Sequence, residues 1–444
     1  MSSVGPGSAS GPKQALLAAD YVEAVLWQQQ AQPPVVEVHP LPGQADVVVV
    51  GAGYCGLSAA RELARRGRTT VVVERDPLAT GASTRNGGMV IPELKSGPAG
   101  LAQRYGPVGE RMYDEVNEAF DQLEALVATE AIDCRYRRDG QLYLAHNQAH
   151  VEGLAAMADE HGGERGEAVR FVSRDGLADE VGSDAFYAGV VLERTGGLHP
   201  ARYHAGLARL ALEAGVDVHD RTTALAIEPR PQGGHQVTTD RGTIEAGDVI
   251  VATNAYADAL VPWLARRVVP IGSFIIATEV LDPGLAASVS PRGRMMVDTK
   301  NLLFYWRLSP DGRVLFGGRR SLAPSSIAEA RDFLYGSMVG IHPQLAGTRI
   351  SHAWGGHVAM TLDRMPHFGR VPSGPGLGAL FATGCNGSGV ALNSWMGTRA
   401  ADVVLGGPPP ALSEIRFPAV PLHRARRAYL PLVGQWFAWE DRRP

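Results

Sequence analysis

The chain has 444 residues, of which 45% are hydrophobic and 20% are charged, and its formal net charge at pH 7 is −4. This composition is typical of a globular protein large enough for two domains, and the slight negative charge argues against a nucleic-acid partner. No apolar run approaches the roughly 20 residues that span a membrane, so we expect no membrane association.

The cysteine content and the N-terminus bear on the compartment. Cys55, Cys134 and Cys385 are too few for a disulfide framework, which is typical of proteins in a reducing environment. Residues 1–12 are rich in glycine and serine and lack the basic and apolar regions of a signal peptide. The sequence therefore predicts a cytoplasmic protein.

The first 44 residues are predicted to form an arm that leads into the first domain. Residues 1–12 are expected to be disordered, because they offer few large apolar side chains to bury. Residues 14–30 have the spacing of a helix, and residues 33–43 form a proline-bearing connector to the first strand.

A βαβ pattern follows the connector. Four valines at 47–50 predict a buried strand, and residues 57–66 have helical character. A second apolar run at 70–73 ends at Glu74. A carboxylate at this position accepts hydrogen bonds from ribose hydroxyls, and it would repel a 2′-phosphate.

The turn between the first strand and the helix is rich in glycine. Gly51 permits a tight turn, Gly53 lets the backbone approach a pyrophosphate, and Gly56 lets the helix pack closely on the strand. The helix N-terminus then presents free N–H groups and a positive dipole end to the phosphates. Strand, turn, helix, second strand and terminal acid together predict a dinucleotide-binding unit.

The rest of the chain alternates between helix and strand patterns. The predicted elements are a helix at 100–131, a hairpin at 134–145 that turns at 138–140, helices at 149–161 and 202–214, a strand at 216–219, a hairpin that turns at 240–242, a strand at 249–252, antiparallel strands at 274–281, 302–308 and 313–317, a helix at 327–339, a strand at 379–383, a helix at 390–404, and, beyond a linker at 407–410, a tail that carries Trp436 and Trp439.

This order of elements indicates two interleaved domains, because the nucleotide-binding unit is interrupted by antiparallel strands and a second glycine-rich turn comes late. We predict an N-terminal arm and helix, a discontinuous nucleotide-binding domain, an inserted substrate domain and a C-terminal tail. Their ranges are 1–44 for the arm, 45–95, 195–262 and 350–406 for the nucleotide-binding domain, 96–194 and 263–349 for the substrate domain, and 407–444 for the tail.

Further motifs along the chain carry a resemblance. They are Gly81-Ala82-Ser83-Thr84-Arg85-Asn86-Gly87-Gly88-Met89, Ala252-Thr253-Asn254-Ala255-Tyr256, Trp354-Gly355-Gly356, Asp363-Arg364-Met365-Pro366 and Gly384-Cys385-Asn386-Gly387-Ser388-Gly389-Val390. With the fingerprint at 51–56, the sequence resembles the D-amino-acid oxidase superfamily of FAD enzymes, and most closely its γ-glutamylputrescine oxidoreductase and glycine/sarcosine oxidase branch. The resemblance implies an α/β (α+β) fold of two domains, a Rossmann-like FAD-binding domain with an inserted antiparallel-sheet substrate domain.

The resemblance also implies which residues bind FAD. They are Gly51, Gly53, Tyr54, Cys55, Gly56, Glu74, Arg75, Ala82, Ser83, Arg85, Asn86, Gly87, Gly88, Met89, Ala224, Thr253, Asn254, Gly356, Gly384, Asn386, Gly387, Ser388, Gly389 and Val390. Relatives that tether the flavin use a cysteine shortly before the motif at 363–366 or a histidine after the ribose-binding acid. This sequence has Gly356-His357-Val358 at the first place and no histidine at the second, so we expect non-covalent FAD.

The reaction that the resemblance implies is oxidation of an amine or amino acid, with O₂ or another compound as electron acceptor. Strand alternation places Tyr305 and Arg307 on one face, and analogy with the family turns that face toward the flavin. Tyr305, Arg307 and His357 are therefore the catalytic candidates, and Arg307 or Arg319 is a candidate partner for a substrate carboxylate or phosphonate. Sarcosine oxidases use a lysine near the flavin, but Lys300 lies a few residues too early to match it.

Two other functions remain open at this stage. A flavin monooxygenase shares the N-terminal fingerprint but usually carries a late Gly-Asp pair, where this chain has Gly384-Cys385. A non-catalytic FAD-binding protein is the second alternative. His199 and Cys385 are additional pocket candidates, and the 13 histidines show no metal-ligand spacing with carboxylates or cysteines, so no metal is expected.

Overall fold

The computed structural model describes residues 16–257 and 259–443. Its helices pack against two large sheets. The α-helices are α1 (Leu26–Gln29), α2 (Tyr54–Arg65), α3 (Gly97–Tyr105), α4 (Pro107–Thr129), α5 (Val151–Ala158), α6 (Pro200–Glu213), α7 (Pro262–Ala265), α8 (Pro283–Val289), α9 (Ile327–Ile341), α10 (Gly389–Val404) and α11 (Arg426–Glu440).

The strands fall into two large sheets and one two-stranded ladder. They are β1 (Leu17–Val22), β2 (Gln44–Val50), β3 (Thr70–Val73), β4 (Met89–Val90), β5 (Gln141–Leu144), β6 (Val169–Ser173), β7 (Ala188–Leu192), β8 (Gly196–Gly197), β9 (Asp217–His219), β10 (Ala224–Pro229), β11 (His235–Thr239), β12 (Gly242–Val251), β13 (Val268–Thr278), β14 (Met295–Asp298), β15 (Tyr305–Leu308), β16 (Val314–Gly318), β17 (Ile350–Thr361), β18 (His367–Arg370) and β19 (Leu380–Thr383).

The first large sheet has the order β10-β11-β12-β2-β3-β9, and β19 pairs with β12 while β18 pairs with β19. The strands β12, β2, β3 and β9 run parallel. The four valines at 47–50 are buried, as expected for a parallel strand that is covered on both faces. The β2–α2–β3 unit is thus the predicted dinucleotide fingerprint.

Two helices pack closely against each other on this sheet. α2 follows the glycine-rich turn, and α10 follows β19. A Cβ atom on Gly397 of α10 would lie 2.2 Å from the carbonyl oxygen of Cys55, so glycine permits the close approach of the two helices. α4 covers the same core with Met112, Val116 and Phe120, which are fully buried, as the three- and four-residue spacing predicts.

The second large sheet has the order β1-β17-β13-β16-β15-β14-β5-β7-β6. Its central pairs, β17 with β13, β13 with β16 and β16 with β15, are antiparallel. Phe304, Trp306 and Phe316 pack on one side of this sheet with α9 in a separate core. The other side carries Tyr305 and Arg307 and faces the loop at Gly87 and Gly88.

The prediction of a helix at 14–30 was wrong. Among its described residues, Leu17–Val22 form β1, which pairs in parallel with β17 at the edge of the second sheet, and only Leu26–Gln29 are helical. The alanines of β1 favour a helix locally, but backbone hydrogen bonds to the edge of β17 stabilise an extended conformation instead. The disorder predicted for residues 1–12 lies outside the described residues.

Two other predicted elements need correction. Residues 134–145 do not form a hairpin: only β5 is a strand there, and it pairs with β14 and β7, which are distant in sequence. The helix predicted at 100–131 is divided into α3 and α4, because Gly106 adopts φ +57° and Pro107 begins a new helix. The helix predicted at 149–161 is α5, which continues into a π-helical turn at Asp159–Glu164.

The predicted fold class is confirmed: a Rossmann-like sheet is combined with a second, largely antiparallel sheet. The strands predicted at 216–219 and 379–383 and the helices predicted at 202–214, 327–339 and 390–404 are present within a few residues of the expected bounds, and the strand predicted at 249–252 is the end of the longer β12. The domain boundaries stay a prediction. One strand of the range 350–406, β17, lies in the second sheet.

Candidate active site

The β2–α2 turn has the geometry of a pyrophosphate cradle. Gly51 adopts φ +104°, a conformation that a residue with a side chain rarely adopts. A Cβ on Gly56 would lie only 1.8 Å from the carbonyl oxygen of Gly51, and a Cβ on Gly53 would meet Ser83 Oγ at 3.0 Å. The three glycines therefore keep the turn compact and leave its backbone amides accessible to a ligand.

Glu74 is held in place by the same turn. Its Oε2 accepts a hydrogen bond from the Ala52 N–H at 2.8 Å, and its Oε1 accepts one from the Asp76 N–H at 3.1 Å. Burial raises the pKa of Glu74, and these two N–H donors oppose that shift. Each carboxylate oxygen keeps a second lone pair, which is available to a ribose hydroxyl.

The segment at 82–89 lies over the N-terminus of α2. Ser83 Oγ accepts a hydrogen bond from the Tyr54 N–H at 3.1 Å. The side chain of Asn86 closes the segment on itself, because its Nδ2 donates to the Ser83 carbonyl at 2.9 Å and its Oδ1 accepts from the Gly88 N–H at 2.8 Å. The interpretation of Asn86 as a cofactor ligand stays a prediction; in the structure its amide shapes the loop.

Two buried tryptophans fix this loop from the other side. Trp27 Nε1 donates to the Asn86 carbonyl at 2.9 Å, and Trp354 Nε1 donates to the Arg85 carbonyl at 2.9 Å. Arg85 itself donates to the Thr80 carbonyl at 2.7 Å and to the Gly355 carbonyl at 3.1 Å. The loop is thereby joined to α1 and to β17 of the second sheet.

The side chains of Asn254 and Asn386 form hydrogen bonds between the remaining motifs. Both have positive φ, +44° and +49°. The Oδ1 of Asn254 accepts from the Gly384 N–H at 3.0 Å, and the Oδ1 of Asn386 accepts from the Thr361 N–H at 3.0 Å. Hydrogen bonds therefore connect the end of β12 and the end of β17 to the turn before α10. The sulfur of Cys385 accepts a hydrogen bond from Asn254 Nδ2 at 3.3 Å.

One cavity of about 1280 Å³ joins these features to the second sheet. This volume exceeds the roughly 300–1,000 Å³ of a typical ligand pocket, which suits a dinucleotide together with a substrate. Of the predicted cofactor residues, all but Gly56, Gly88 and Gly384 line the cavity. Of the catalytic candidates, Tyr305 and His357 line it and Arg307 does not.

Tyr305 lies between the loop and the second sheet. A Cβ on Gly317 would lie 2.3 Å from the Tyr305 ring, and one on Gly87 would lie 3.1 Å from it, so both glycines make room for the ring. The Tyr305 hydroxyl is 3.3 Å from Ser273 Oγ. Burial raises the pKa of Tyr305, which keeps the hydroxyl protonated at neutral pH.

Arg307 shares the face of Tyr305, as strand alternation predicts, but its guanidinium is covered by the loop. Nη1 donates to the carbonyl oxygens of Gly88 at 3.0 Å and Leu198 at 3.1 Å. Burial lowers the pKa of Arg307 to about 10, so it remains charged at neutral pH. In this structure its donors are used by backbone carbonyls rather than aimed into the cavity.

Arg319 lines the cavity just beyond the end of β16. Among the described residues, no carboxylate lies within ion-pair distance of its guanidinium and no hydrogen bond to it is present. Burial lowers the pKa of Arg319, and the nearby Tyr305 opposes that shift. Arg319 is partly exposed, and a partly buried cation without a partner still carries a desolvation cost, so this guanidinium provides an attractive site for an anion.

Sequence reasoning gave no role to Glu93, Lys95 or Tyr143 and set Lys300 aside as too early in the chain, but all four line the cavity. Glu93 accepts a hydrogen bond from the Tyr143 hydroxyl at 2.9 Å and lies 3.4 Å from Lys95 Nζ. Lys300 lies 3.4 Å from Asp298 and over the ring of Phe304. No local motif marks these residues. Folding brings Tyr143 to Glu93, 50 residues away, whereas Lys300 contacts Asp298 and Phe304 within its own segment.

Three histidines differ in their relation to the cavity. His357 is exposed on its wall and stands edge-on to Tyr256, with ring centroids 6.0 Å apart. His199 does not line the cavity: it accepts a hydrogen bond from the Arg202 N–H and packs on Trp27. His204, which sequence reasoning missed, lies beneath the fingerprint turn with Nε2 2.7 Å from the Ala52 carbonyl. Burial lowers its pKa to about 4, so it is neutral and this Nε2 carries the proton.

The helices of the described residues do not meet the requirements of a membrane span. None of them is both long enough and apolar enough to cross a bilayer.

Comparisons with known proteins agree with the geometry. Residues 46–403 match the family model described as DAO, FAD dependent oxidoreductase. The probable oxidoreductase OrdL of Haemophilus influenzae is 33% identical over 383 residues, 84% of this chain and 85% of that protein. Gamma-glutamylputrescine oxidoreductase of Escherichia coli is 30% identical over 397 residues, 89% of this chain and 91% of that protein.

Solved structures share the fold. Glycine oxidase from Geobacillus kaustophilus superimposes with a TM-score of 0.72 and 20% sequence identity, over 86% of this chain and 99% of that chain. L-proline dehydrogenase from P. horikoshii superimposes with a TM-score of 0.69 and 19% identity, over 83% of this chain and 96% of that chain.

Proposed function

Because the chain belongs to the DAO family of FAD-dependent oxidoreductases, as its motifs predict, we propose that it oxidises the C–N bond of an amine or amino acid. FAD, when bound, supplies the acceptor for the hydride that leaves the carbon next to nitrogen, at flavin N5. The resulting imine is hydrolysed to an aldehyde or keto product and ammonia or an amine. O₂, which would give H₂O₂, or another compound takes up the electrons.

The residues of the cavity fit FAD. The glycine turn leaves the N-terminus of α2 open, and a side chain at Gly53 or Gly56 would close it. The carboxylate of Glu74 has lone pairs free for the ribose, and the amides at the start of α10 line the opposite part of the cavity. These features support the predicted cofactor residues as ligands of one extended dinucleotide.

The observation that carries the proposal is that one cavity runs from Glu74 to Tyr305 and Arg319. A substrate in its second half therefore lies beside the dinucleotide site and against the second sheet. Burial raises the pKa of Tyr305 and lowers the pKa of Arg319, so this region disfavours charge. The same desolvation lowers the pKa of a bound ammonium group from about 10, and an amine must be neutral to release a hydride from its neighbouring carbon.

The Arg319 guanidinium favours a substrate that carries a carboxylate. It is partly buried and unpaired among the described residues, and the Tyr305 and Ser273 hydroxyls lie on the same side of the sheet. A bidentate pair between guanidinium and carboxylate would fix the amine end of a small substrate in the cavity. We therefore propose an amino acid, or an amine that carries an acid group, as the substrate class.

Arg307 has a different role from Tyr305 and His357, because it does not line the cavity. Its hydrogen bonds to the carbonyls of Gly88 and Leu198 hold the loop at 82–89 against the second sheet. We propose that Arg307 positions the loop that borders the dinucleotide, while Tyr305 and His357 contact the substrate.

The first experiment is an anaerobic titration of the FAD-loaded protein, followed by its visible spectrum. The panel contains matched pairs that differ only in the carboxylate: glycine and methylamine, sarcosine and dimethylamine, and the two enantiomers of alanine with ethylamine. We expect an acid member to bleach the flavin bands and its partner amine to do so far more slowly.

The outcomes separate the alternatives. Equal bleaching by both members of a pair would keep amine oxidation and reject the carboxylate. Flavin that stays oxidised across the panel would reject amine oxidation; reduction by a nicotinamide would then favour a monooxygenase, and no reduction a non-catalytic FAD-binding protein.

The mode of FAD attachment has its own test. We propose non-covalent FAD. Of the two cysteines among the described residues that line the cavity, Cys55 is buried in α2, and the sulfur of Cys385 accepts a hydrogen bond from Asn254. Acid precipitation is expected to release the yellow colour into the supernatant. Colour that stays in the pellet would contradict the proposal. The cytoplasmic location stays a prediction.

A further inference from the structure

A second group of potential ligands lies at the outer edge of the first sheet, on strand β9 and remote in sequence from the motifs above. His39, in the connector between α1 and β2, meets Asp217 and His219. The two β9 residues are separated by one position, so they lie on the same face of the strand. One ligand atom from each of the three side chains lies within 4.8 Å of the other two. We propose that these residues form a binding site for a divalent transition-metal ion such as Zn²⁺.

The distances suit shared coordination. Asp217 Oδ1 lies 3.2 Å from His39 Nε2 and 3.0 Å from His219 Nε2. Ligand atoms that bind one tetrahedral zinc at about 2.0–2.2 Å lie roughly 3.3–3.5 Å from each other. Closure of the site requires shifts of only a few tenths of an ångström for these two pairs.

The hydrogen bonding of the histidines supports the same assignment. His219 is 2% exposed, and its Nε2 makes no hydrogen bond, although Asp217 is near it. His39 Nδ1 is 3.3 Å from the Pro40 carbonyl, so in the tautomer that carries the proton on Nδ1 the Nε2 lone pair is available to a metal. The polar neighbour of His219 Nε2 is the Asp217 carboxylate 3.0 Å away, and a metal between the two would bind both atoms.

The donor set indicates which ion to expect. Two imidazoles and one carboxylate suit zinc and its neighbours, whereas calcium and magnesium prefer an all-oxygen shell. The side chains of His39 and Asp217 are 43% and 32% exposed, so a water molecule has access to the fourth position. Arg241, which donates to the His39 carbonyl at 2.9 Å, adds a positive charge nearby. We therefore expect weaker binding than in a closed site with four protein ligands.

A metal at this place would connect the connector to the edge of the nucleotide-binding sheet. The His219 carbonyl accepts a hydrogen bond from the Glu74 N–H at 2.9 Å, so the edge strand also supports the acid of the dinucleotide fingerprint. The ion would thus stabilise the folded state by joining two segments that are distant in sequence. The pattern is invisible in the sequence, because only folding brings His39 to β9.

The test measures zinc binding by the full-length, FAD-loaded protein without a histidine tag. The protein is stripped with a chelator, incubated with ZnCl₂, freed of excess metal by gel filtration and analysed for zinc by atomic emission. We expect one zinc per chain in the wild type and at least a tenfold weaker affinity in His39→Gln and Asp217→Asn. His423→Gln, outside the cluster, is the matched control and should bind like the wild type.

A second measurement does not depend on retention during gel filtration. Zinc should raise the midpoint of thermal unfolding of the wild type and of His423→Gln in a concentration-dependent way, and it should not do so for His39→Gln. Because His39 is partly exposed, this variant should fold. Wild-type protein that binds no zinc, or His39→Gln protein that binds zinc as tightly as the wild type, would overturn the proposal.

Discussion

The guanidinium of Arg307 donates a hydrogen bond to the carbonyl oxygen of Gly88 over 3.0 Å. Gly88 belongs to the loop that borders the dinucleotide site, and Arg307 belongs to the second sheet. The contact therefore connects the two halves of the cavity. Arg307 therefore connects the loop to the second sheet, a role that its position on the Tyr305 face alone does not predict.

The Arg307→Met variant should lose FAD more readily than the wild type. The buried Leu198 carbonyl would lose its donor, at a cost of about 1–3 kcal/mol, and the Gly88 carbonyl would keep only the Leu198 N–H as a donor. We expect a weaker affinity for FAD and a lower free energy of unfolding, both measured by flavin fluorescence and denaturant titration. With FAD saturating, the affinity for substrate should stay within a few-fold of the wild type.

The opposite pattern would contradict this assignment. If Arg307→Met retains FAD normally but loses substrate affinity, then Arg307 contacts the substrate and the positioning role is wrong.

A second prediction concerns the glycine-rich turn between β2 and α2. In Gly56→Ala the new Cβ would lie 1.8 Å from the Gly51 carbonyl oxygen, so α2 has to move away from the turn. We expect a loss of about 3 kcal/mol in unfolding free energy and protein purified largely without flavin. The absorbance ratio of flavin to protein and a denaturant titration measure the two effects.

Gly153→Ala is the matched control for that substitution. Gly153 lies within α5, and a Cβ added to it would meet no heavy atom within 4 Å. Because alanine favours a helix, this variant should equal the wild type or gain up to about 1 kcal/mol. A Gly56→Ala protein with full flavin content would show that the close packing of α2 is unnecessary.

The sequence predicted those parts of the site that depend on local geometry. Gly51, Gly56 and Glu74 belong to one βαβ unit, and the chemistry of that unit is set within about 25 residues of chain. The loop at 82–89 was recognisable by its motif. The two tryptophans that hold it, Trp27 and Trp354, come from segments far away in the chain, so their contact was not predictable from spacing.

The errors have a physical cause in long-range pairing. The segment that became β1 has helical composition, yet the edge of β17 supplies hydrogen-bond partners for an extended strand. The predicted hairpin failed for a similar reason, since β5 pairs with β14 and β7 rather than with its own neighbour. Alternation placed Arg307 on the correct face, but only the folded loop determines that Gly88 covers it.

Because the protein contains buried histidines, we expect its folded state to lose stability in acid. His199, His204 and His342 are almost completely buried, and burial lowers the pKa of each to about 4. An unfolded chain takes up these protons near pH 6.5, whereas the folded chain does not. The stability that they contribute is therefore complete above pH 6.5 and declines as the pH falls toward 4, by roughly 1.4 kcal/mol per pH unit and histidine.

Denaturant titrations of FAD-saturated protein at pH 7.5 and pH 5.0 check this prediction. Replacement of His342, which lies far from the fingerprint turn, by glutamine should reduce the difference in unfolding free energy between the two pH values by about 2 kcal/mol. The comparison uses the change with pH, so a constant cost of the substitution cancels. An unchanged pH dependence would mean that His342 titrates normally in the folded state.

Arg319 gives the sharpest test of the proposed substrate class. In Arg319→Met the carboxylate would lose its charged partner, and a hydrogen-bonded charge pair contributes about 2 kcal/mol, or roughly a 30-fold change in affinity. We expect the dissociation constant of the acid substrate, measured anaerobically from the flavin spectrum, to rise by that factor. The rate with the matched amine that lacks the carboxylate should hardly change.

Arg320→Met is the control, because Arg320 is exposed and does not belong to the cavity wall. It should bind both members of each substrate pair as the wild type does. Arg319→Lys, which keeps the charge but loses the fork of donors, should fall between the wild type and Arg319→Met. If Arg319→Met weakens the acid and the amine equally, the guanidinium shapes the cavity and does not recognise a carboxylate.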